Sequence, residues 1–399
     1  MARRLAIIST HPIQYYSPLF RLLAQSGELE VRVFYGWDGG SHAAFDPGFG
    51  QVVQWDVPLL DGYDYVFVPN ESRAPGTHHY QGIKSKQFLP TVKEWKPDAM
   101  LVFGWNYHSH LTAMRAFHGK VPIYFRGDST LVNRSRGLRG VARRHFLRWV
   151  YTHVDTAFYV GVRNREYFLE HGLNENQLVW APHAVDNARF ASDDPERNRA
   201  AKAWRERLGI PTDALTVLFA GKFEIRKAPE VLLDAFLNRN HPEDHLILAG
   251  TGGLGDVLKA RAGDHQNVHF IGFQNQSQMP LVYRLGDVFA LPSRDESWGL
   301  AINEAMACSR PVIASDAVGC AADLVLSHHT GEVFASEQRS SLRSALDLLL
   351  SDRDALLRMG KNAAQLIEKW SIEELARIVV STITGRPTEP RSPFLDAGR

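Results

Sequence analysis

Glu296 and Glu304 stand eight positions apart in the run from Arg294 to Glu304. The preceding Val288 to Ser293 reads as a short buried strand ending in a Pro-Ser turn. The following Gly299 to Cys308 is rich in helix formers. Glu296 is therefore expected in the turn and Glu304 on the helix. A helix N-terminus attracts anions such as a diphosphate. Ionised carboxylates are acceptor-only and suit sugar hydroxyls. Together these residues have the chemistry needed to hold a sugar nucleotide.

A second group lies upstream. Lys222, Arg226 and Lys227 follow the apolar run Leu215 to Ala220, at the expected carboxyl end of a strand. Cations there could neutralise a diphosphate, Lys as a point charge and Arg as a fork. Gly250, Gly252 and Gly255 follow another strand run and spell G-x-G-x-x-G. A dinucleotide fingerprint expects an acid about 20 residues further on. Phe270 to Gln278 contains none, which argues against a nicotinamide cofactor. The glycines still permit close approach of a ligand to the backbone.

Two series of elements would position these residues. Apolar runs at 5–9, 31–35, 99–103, 121–125 and 156–160 alternate with helical spacing. A second series has strands expected at 215–220, 245–249, 268–271, 288–291 and 311–314. Such alternation predicts α/β architecture with parallel sheets covered on both faces. The polar stretch 185–198 reads as a linker. The expected division is 1–190 and 191–370, with a helix at 371–385 packing back toward the first domain and a mobile tail at 386–399. Ligands of open α/β sheets bind at the carboxyl ends of strands. Two facing Rossmann-like halves would then form an interdomain cleft whose closure excludes water.

The block from Gly272 to Val333 resembles the donor domain of the family-4 retaining glycosyltransferases, also called glycosyl transferases group 1. The likeness rests on Gly272-Phe273, Met279 to Asp287, Leu291 to Glu296, Gly299 to Cys308, Pro311 to Asp316 and Thr330 to Val333. The Glu296–Glu304 spacing matches that family's paired-glutamate motif. Lys222 and Lys227 stand in place of its diphosphate-binding cations, with Lys222 where Arg is common. Pro182 to Asp186 with Arg189 and Phe190 is similar to its interdomain segment. The resemblance implies a GT-B fold and a retaining transfer from a nucleoside-diphosphate sugar, a UDP- or GDP-sugar, to a glycan or lipid-linked acceptor. It implies that Glu296 meets the donor sugar, Glu304 the ribose, and Lys222 and Lys227 the leaving diphosphate. Residues 297–299 would offer N–H groups to the diphosphate. Gly250, Gly252, Trp298, Gly299 and Leu300 join the expected donor-binding set.

In the first half, His11 and Gln14 follow the first strand, and Asn106 and His108 follow a later one. Arg126 and Asp128 follow the next. All six are expected to line the acceptor side. Residues 133–149 hold six arginines and no acid, with apolar residues interleaved. Such a segment, taken as 133–150, suits either an anionic membrane surface or a solvated basic face.

Other classes of function find less support. A net charge of +1 argues against nucleic acid as a partner. Two cysteines make no disulfide framework, so a cytoplasmic location is expected, with contact at the inner face of the membrane through the basic segment. The N-terminal apolar run is too short for a signal peptide. His78-His79 and His328-His329 lack the spaced companions of a zinc site. Asp352 and Asp354 fall late, after a helical pattern, so no metal clamp is expected and no metal is required. A glycoside phosphorylase on the same fold and a non-catalytic sugar-nucleotide- or glycan-binding protein remain as alternatives.

Overall fold

The apolar runs form strands whose side chains are dry on both faces. In a computed structural model, which describes residues 2–132, 137–191, 193–239, 241–326 and 328–386, Leu5 to Ile8, Met100 to Val102, Val217 to Phe219 and Leu246 to Leu248 are fully buried. Continuous burial of this kind is the mark of parallel strands covered by helices.

The chain divides into two compact units. The first comprises residues 1–44, 57–183 and 372–399, the second 45–56 and 184–371. In the first, β1 (Arg3–Ser9), β2 (Leu29–Tyr35), β5 (Asp64–Phe67), β6 (Ala99–Phe103), β7 (Ile123–Arg126), β8 (Thr156–Tyr159) and β9 (Leu178–Trp180) form one sheet in the order β5-β2-β1-β6-β7-β8-β9. Every pairing is parallel. The short strands β3 (Ala44–Asp46) and β4 (Gln51–Val53) pair separately.

In the second unit, β10 (Thr216–Ala220), β11 (His245–Ala249), β12 (Val268–Gly272), β13 (Val288–Leu291), β14 (Val312–Ser315) and β15 (Gly331–Phe334) run parallel in the order β12-β11-β10-β13-β14-β15. That is the doubly wound order, with its reversal between β10 and β13. The core packs the helix Pro229–Leu237 and the helix Arg339–Leu350 on one face through Leu232, Phe236, Leu342 and Leu346.

Two expectations about chain division change. Residues 45–56, from the first half of the sequence, belong to the second unit. There Asn275 Nδ2 donates to Gln54 O at 2.6 Å and Ser277 N to Asp56 Oδ1 at 2.9 Å. The switch between units also falls after His183 rather than 190. The stretch expected as a linker carries two helices, Asn187–Phe190 and Pro195–Arg207, begun by Asp186 and Asp194 accepting from the N–H groups of Arg189 and Arg197. Its polarity came from capping residues, which look like loop residues in sequence.

The helix Ile372–Thr384 belongs to the first unit and packs on the helix Ser17–Gln25. Residues 387–399 of the expected tail, and 133–136 of the basic segment, lie outside the described residues.

Candidate functional site

The site in the second unit is built on the loops leaving β10, β11 and β13. After β10, residues Ile225–Lys227 form a single 3-10 turn. It ends at Ala228, whose φ of 52° is left-handed. This turn aims Lys227 across the strand reversal. Lys227 Nζ donates to Glu296 Oε2, in the loop after β13. Arg226 NH1 lies 3.7 Å from the same oxygen, and Arg226 NH1 also donates to Asp295 O at 3.3 Å. Side chains of Lys227 and Glu296 retain only 17% and 15% of their exposure, so the pair is shielded enough to hold both loops.

The Glu296 loop is tied on its other side as well. Glu296 N donates to Ala317 O at 3.3 Å, Gly319 N to Glu296 O at 2.9 Å and Cys320 N to Trp298 O at 2.9 Å. Gly319 must be glycine, because a Cβ there would lie 1.8 Å from Ser297 O. Gly299, with φ 104°, precedes the helix Leu300–Ala307. Glu304 lies on that helix, 2% exposed, and Tyr283 donates its hydroxyl to Glu304 Oε2 at 2.7 Å. Trp298 is buried and its indole N–H donates to Asn303 Oδ1 at 2.9 Å, so its side chain acts in packing. Leu300 is half-buried in the first helical turn.

Lys222 is set apart from this pair. Its Nζ lies 2.9 and 3.0 Å from the two oxygens of Asp46 and 4.8 Å over the Phe49 ring. Burial raises the Asp46 carboxyl, but the bond and charge of Lys222 outweigh it and leave the group below its ordinary value. Gly250 and Gly252 have φ of 145° and 146°. A Cβ on Gly250 would meet Gly221 O at 1.9 Å, and one on Gly252 would meet Gly48 O at 2.7 Å. Both glycines therefore serve loop-to-loop packing around Lys222. Thr251 Oγ1 completes that packing by donating to Phe49 O at 2.9 Å. Asp46, Phe49 and Tyr283 are the functional neighbours that sequence reading missed. Asp46 and Phe49 lie 176 and 173 positions before Lys222, beyond any local pattern.

In the first unit, the strand reversal lies between β1 and β6. His11 follows β1, its Nδ1 2.9 Å from Thr10 Oγ1 and its ring 5.3 Å from Trp37. Burial lowers its pKa to about 4. Gln14 is half-buried in the same turn. Asn106 is exposed after β6, and His108 begins the helix His108–Phe117 with its ring 6.0 Å from Tyr80. Burial lowers the His108 pKa.

Arg126 departs from expectation. It is 3% exposed, and its terminal nitrogens donate to Ala181 O at 3.0 Å and Pro182 O at 2.8 Å. A guanidinium spent on the chain's own carbonyls anchors the segment after β9 and leaves acceptor contact to others. Asp128 is half-buried, and its charge acts on Tyr16, Tyr107 and Arg126. Among the described residues, only His241, Glu243 and Asp244 group in a way that could hold a metal ion. Asp244 there is ion-paired with Arg239 at 2.9 Å.

Known proteins resemble this chain in two ways. Residues 200–366 match the family model of glycosyl transferases group 1. The matched stretch contains the whole Lys227–Glu296–Glu304 arrangement. Among curated relatives, the D-inositol 3-phosphate glycosyltransferase of Xylanimonas cellulosilytica is 31% identical over 208 residues, 50% of each chain. That of Streptomyces bingchenggensis is 33% identical over 196 residues, 46% of this chain and 42% of the relative. The chain thus spans about half the length of the curated relatives it matches. Among solved structures, Anabaena Alr3699/HepE in complex with UDP and glucose has a TM-score of 0.72 at 15% identity, covering 96% of this chain and 100% of that one. WaaG, a glycosyltransferase involved in lipopolysaccharide biosynthesis, has a TM-score of 0.70 at 16% identity, covering 96% and 100%. The fold is GT-B, with two Rossmann-like halves.

His110, at the same strand ends, is fully buried with Nδ1 2.9 Å from Gly104 O, and burial lowers its pKa to about 4. A depressed histidine pKa makes the unfolded chain bind the proton first, so stability present above pH 6.5 is lost as pH falls toward 4. The expected loss is on the order of 3 kcal/mol for this imidazole. Urea unfolding at neutral and at acid pH measures it. His110→Gln should flatten the profile, and an unchanged slope would refute the assignment.

Proposed function

We propose that this protein is a retaining glycosyltransferase that moves a sugar from a nucleoside-diphosphate donor to a glycan or lipid-linked acceptor. The observation that carries the reading is the Lys227–Glu296 pair at the strand reversal of the family-matched unit. Lys227 would stabilise charge developing on the leaving diphosphate, where electrostatic help is most effective. Glu296 would orient the donor sugar and Glu304, held by Tyr283, the ribose. Lys222 would add a second cation once a diphosphate replaces Asp46 as its partner. Charge handling by lysines leaves no need for a metal. The solved neighbour with UDP bound favours a uridine donor. His11, Gln14, Asn106, His108 and Asp128, at strand ends of the first unit, would serve the acceptor. Relatives that act on inositol phosphate or build lipopolysaccharide favour a role in surface glycan or glycoconjugate assembly.

A thermal-shift panel of UDP, GDP, ADP, dTDP and their sugars, without metal, tests the donor site. One diphosphate should stabilise the protein, with an affinity about tenfold weaker in Lys227→Ala. Glu296→Ala should stay folded and lose at least about 100-fold in turnover. Turnover that needs phosphate and no nucleotide would replace the reading with a phosphorylase.

A membrane contact is part of the same proposal. On the helix Gly137–Tyr151, Leu138 is 90% exposed and Val141 54%, and Phe146 and Trp149 are also exposed. Arginines flank them, and no described helix is long and apolar enough to cross a membrane. This suits an interfacial helix on anionic lipid. The protein should float with phosphatidylglycerol vesicles at low salt, and Leu138→Glu with Trp149→Glu should abolish flotation. Equal flotation of parent and variant would remove the contact.

A further inference from the structure

The amino-terminal ends of β10, β13 and β14 lie at the opposite end of these parallel strands from the Lys227–Glu296 pair. A concavity of about 570 Å³ opens there, within the range of about 300–1,000 Å³ usual for small-ligand sites. Its lining carries six cations and two carboxylates. Three of the cations are already used. Arg205 pairs with Asp287 at 3.1 Å, Arg284 donates to backbone carbonyls including Pro280 O at 2.5 Å, and Arg353 donates to Asp213 O at 2.6 Å. Of the other three, Lys202 and Lys361 are exposed, and Arg310 has a buried Nε with no hydrogen-bond partner among the described residues.

Arg310 is the informative one. Its Nε is sealed from solvent and unpartnered. Burial pushes its guanidinium below its ordinary value, with the nearby Asp287 carboxylate acting against the shift and Arg284 and Arg205 adding like charge. A buried unpaired donor is costly, so native structures rarely keep one without a partner. Arg310 is held in place rather than swinging free. Ser309 before it has a left-handed φ of 56°, and Gly360 comes so close that a Cβ would lie 2.3 Å from Ser309 O. A guanidinium fork at the floor with two ammonium groups at the rim matches a tetrahedral dianion.

We propose that this concavity is a second anion site, separate from the donor site, that takes inorganic phosphate or a soluble phosphate monoester. Inorganic phosphate and glycerol 3-phosphate are the probes, titrated calorimetrically into the full chain at constant ionic strength. Binding is expected at millimolar affinity or better, weakened about tenfold in the surface variant Lys202→Ala with Lys361→Ala. Arg310→Gln should weaken it further, and the lysine variant decides the matter if that protein folds poorly. Affinity should be unchanged in Lys227→Ala, which separates this site from the donor reading. No binding up to about 10 mM, unaltered binding in the lysine variant, or loss in Lys227→Ala would each overturn the proposal. Capture only by phosphatidate vesicles would overturn the assignment to a soluble phosphate.

Discussion

The ion pair of Lys227 and Glu296 joins two loops that leave neighbouring strands at the point of reversal. In a doubly wound sheet, helices following the two strands lie on opposite faces, which leaves a crevice at their carboxyl ends. Opposite charges set there hold the crevice's walls together without filling it. Much of the surrounding sequence serves this pair. Arg294 donates to Ile225 O at 2.5 Å and pairs with Glu230 at 2.7 Å, bracing one loop against the other. Gly319 lets the next loop come close enough to bond both sides of Glu296. Removing Glu296 would leave Lys227 shielded without its carboxylate, whereas removing Lys227 would leave Glu296 with only the more distant Arg226.

A second constraint comes from the excursion 45–56. It brings Asp46 and Phe49 from the first half of the sequence onto Lys222. Lys222 is thereby paired with a carboxylate distant in sequence, whereas Lys227 is paired with Glu296 from the same stretch of chain. The two lysines look alike in sequence, yet only one sits at the strand reversal paired with Glu296. Three loop glycines make the first arrangement possible, Gly250 and Gly252 by letting backbones touch and Gly48 by leaving room for the Lys222 side chain.

The parallel sheets were legible because buried strands of this type are unbroken apolar runs. Val288 to Leu291 and Leu246 to Leu248 show this plainly. The carboxylate pair was legible for a related reason, since a strand end and a helix start fix where Glu296 and Glu304 fall. What sequence did not reveal was long-range pairing. Arg126 looked like a ligand-facing cation because it ends a strand, but its partners are carbonyls 55 and 56 positions away. The short strands β3 and β4 were missed because three residues carry too little periodicity to register. The helices at 187–190 and 195–207 were hidden by their own polar caps.

The helix Leu300–Ala307 gives the second unit an unexpected economy. Its first residue follows Gly299 beside the carboxylate loop, and its C-terminal turn passes through Cys308 into Arg310. Eight residues at 1.5 Å each span about 12 Å, so one rigid element touches both edges of the sheet. Its neighbour is the helix Met279–Tyr283. Tyr283 donates to Glu304, while Arg284, the next residue, bonds Cys308 Sγ at 3.5 Å. The Cys308 thiol is pushed up to about 12 by burial, which keeps it neutral among these arginines. Both helices pack on β13, Leu300–Ala307 directly and Met279–Tyr283 through the Tyr283 ring, 5.3 Å from that of Phe289. Glu304 and part of the cation-lined concavity are thus carried by one helix and the turn that ends it.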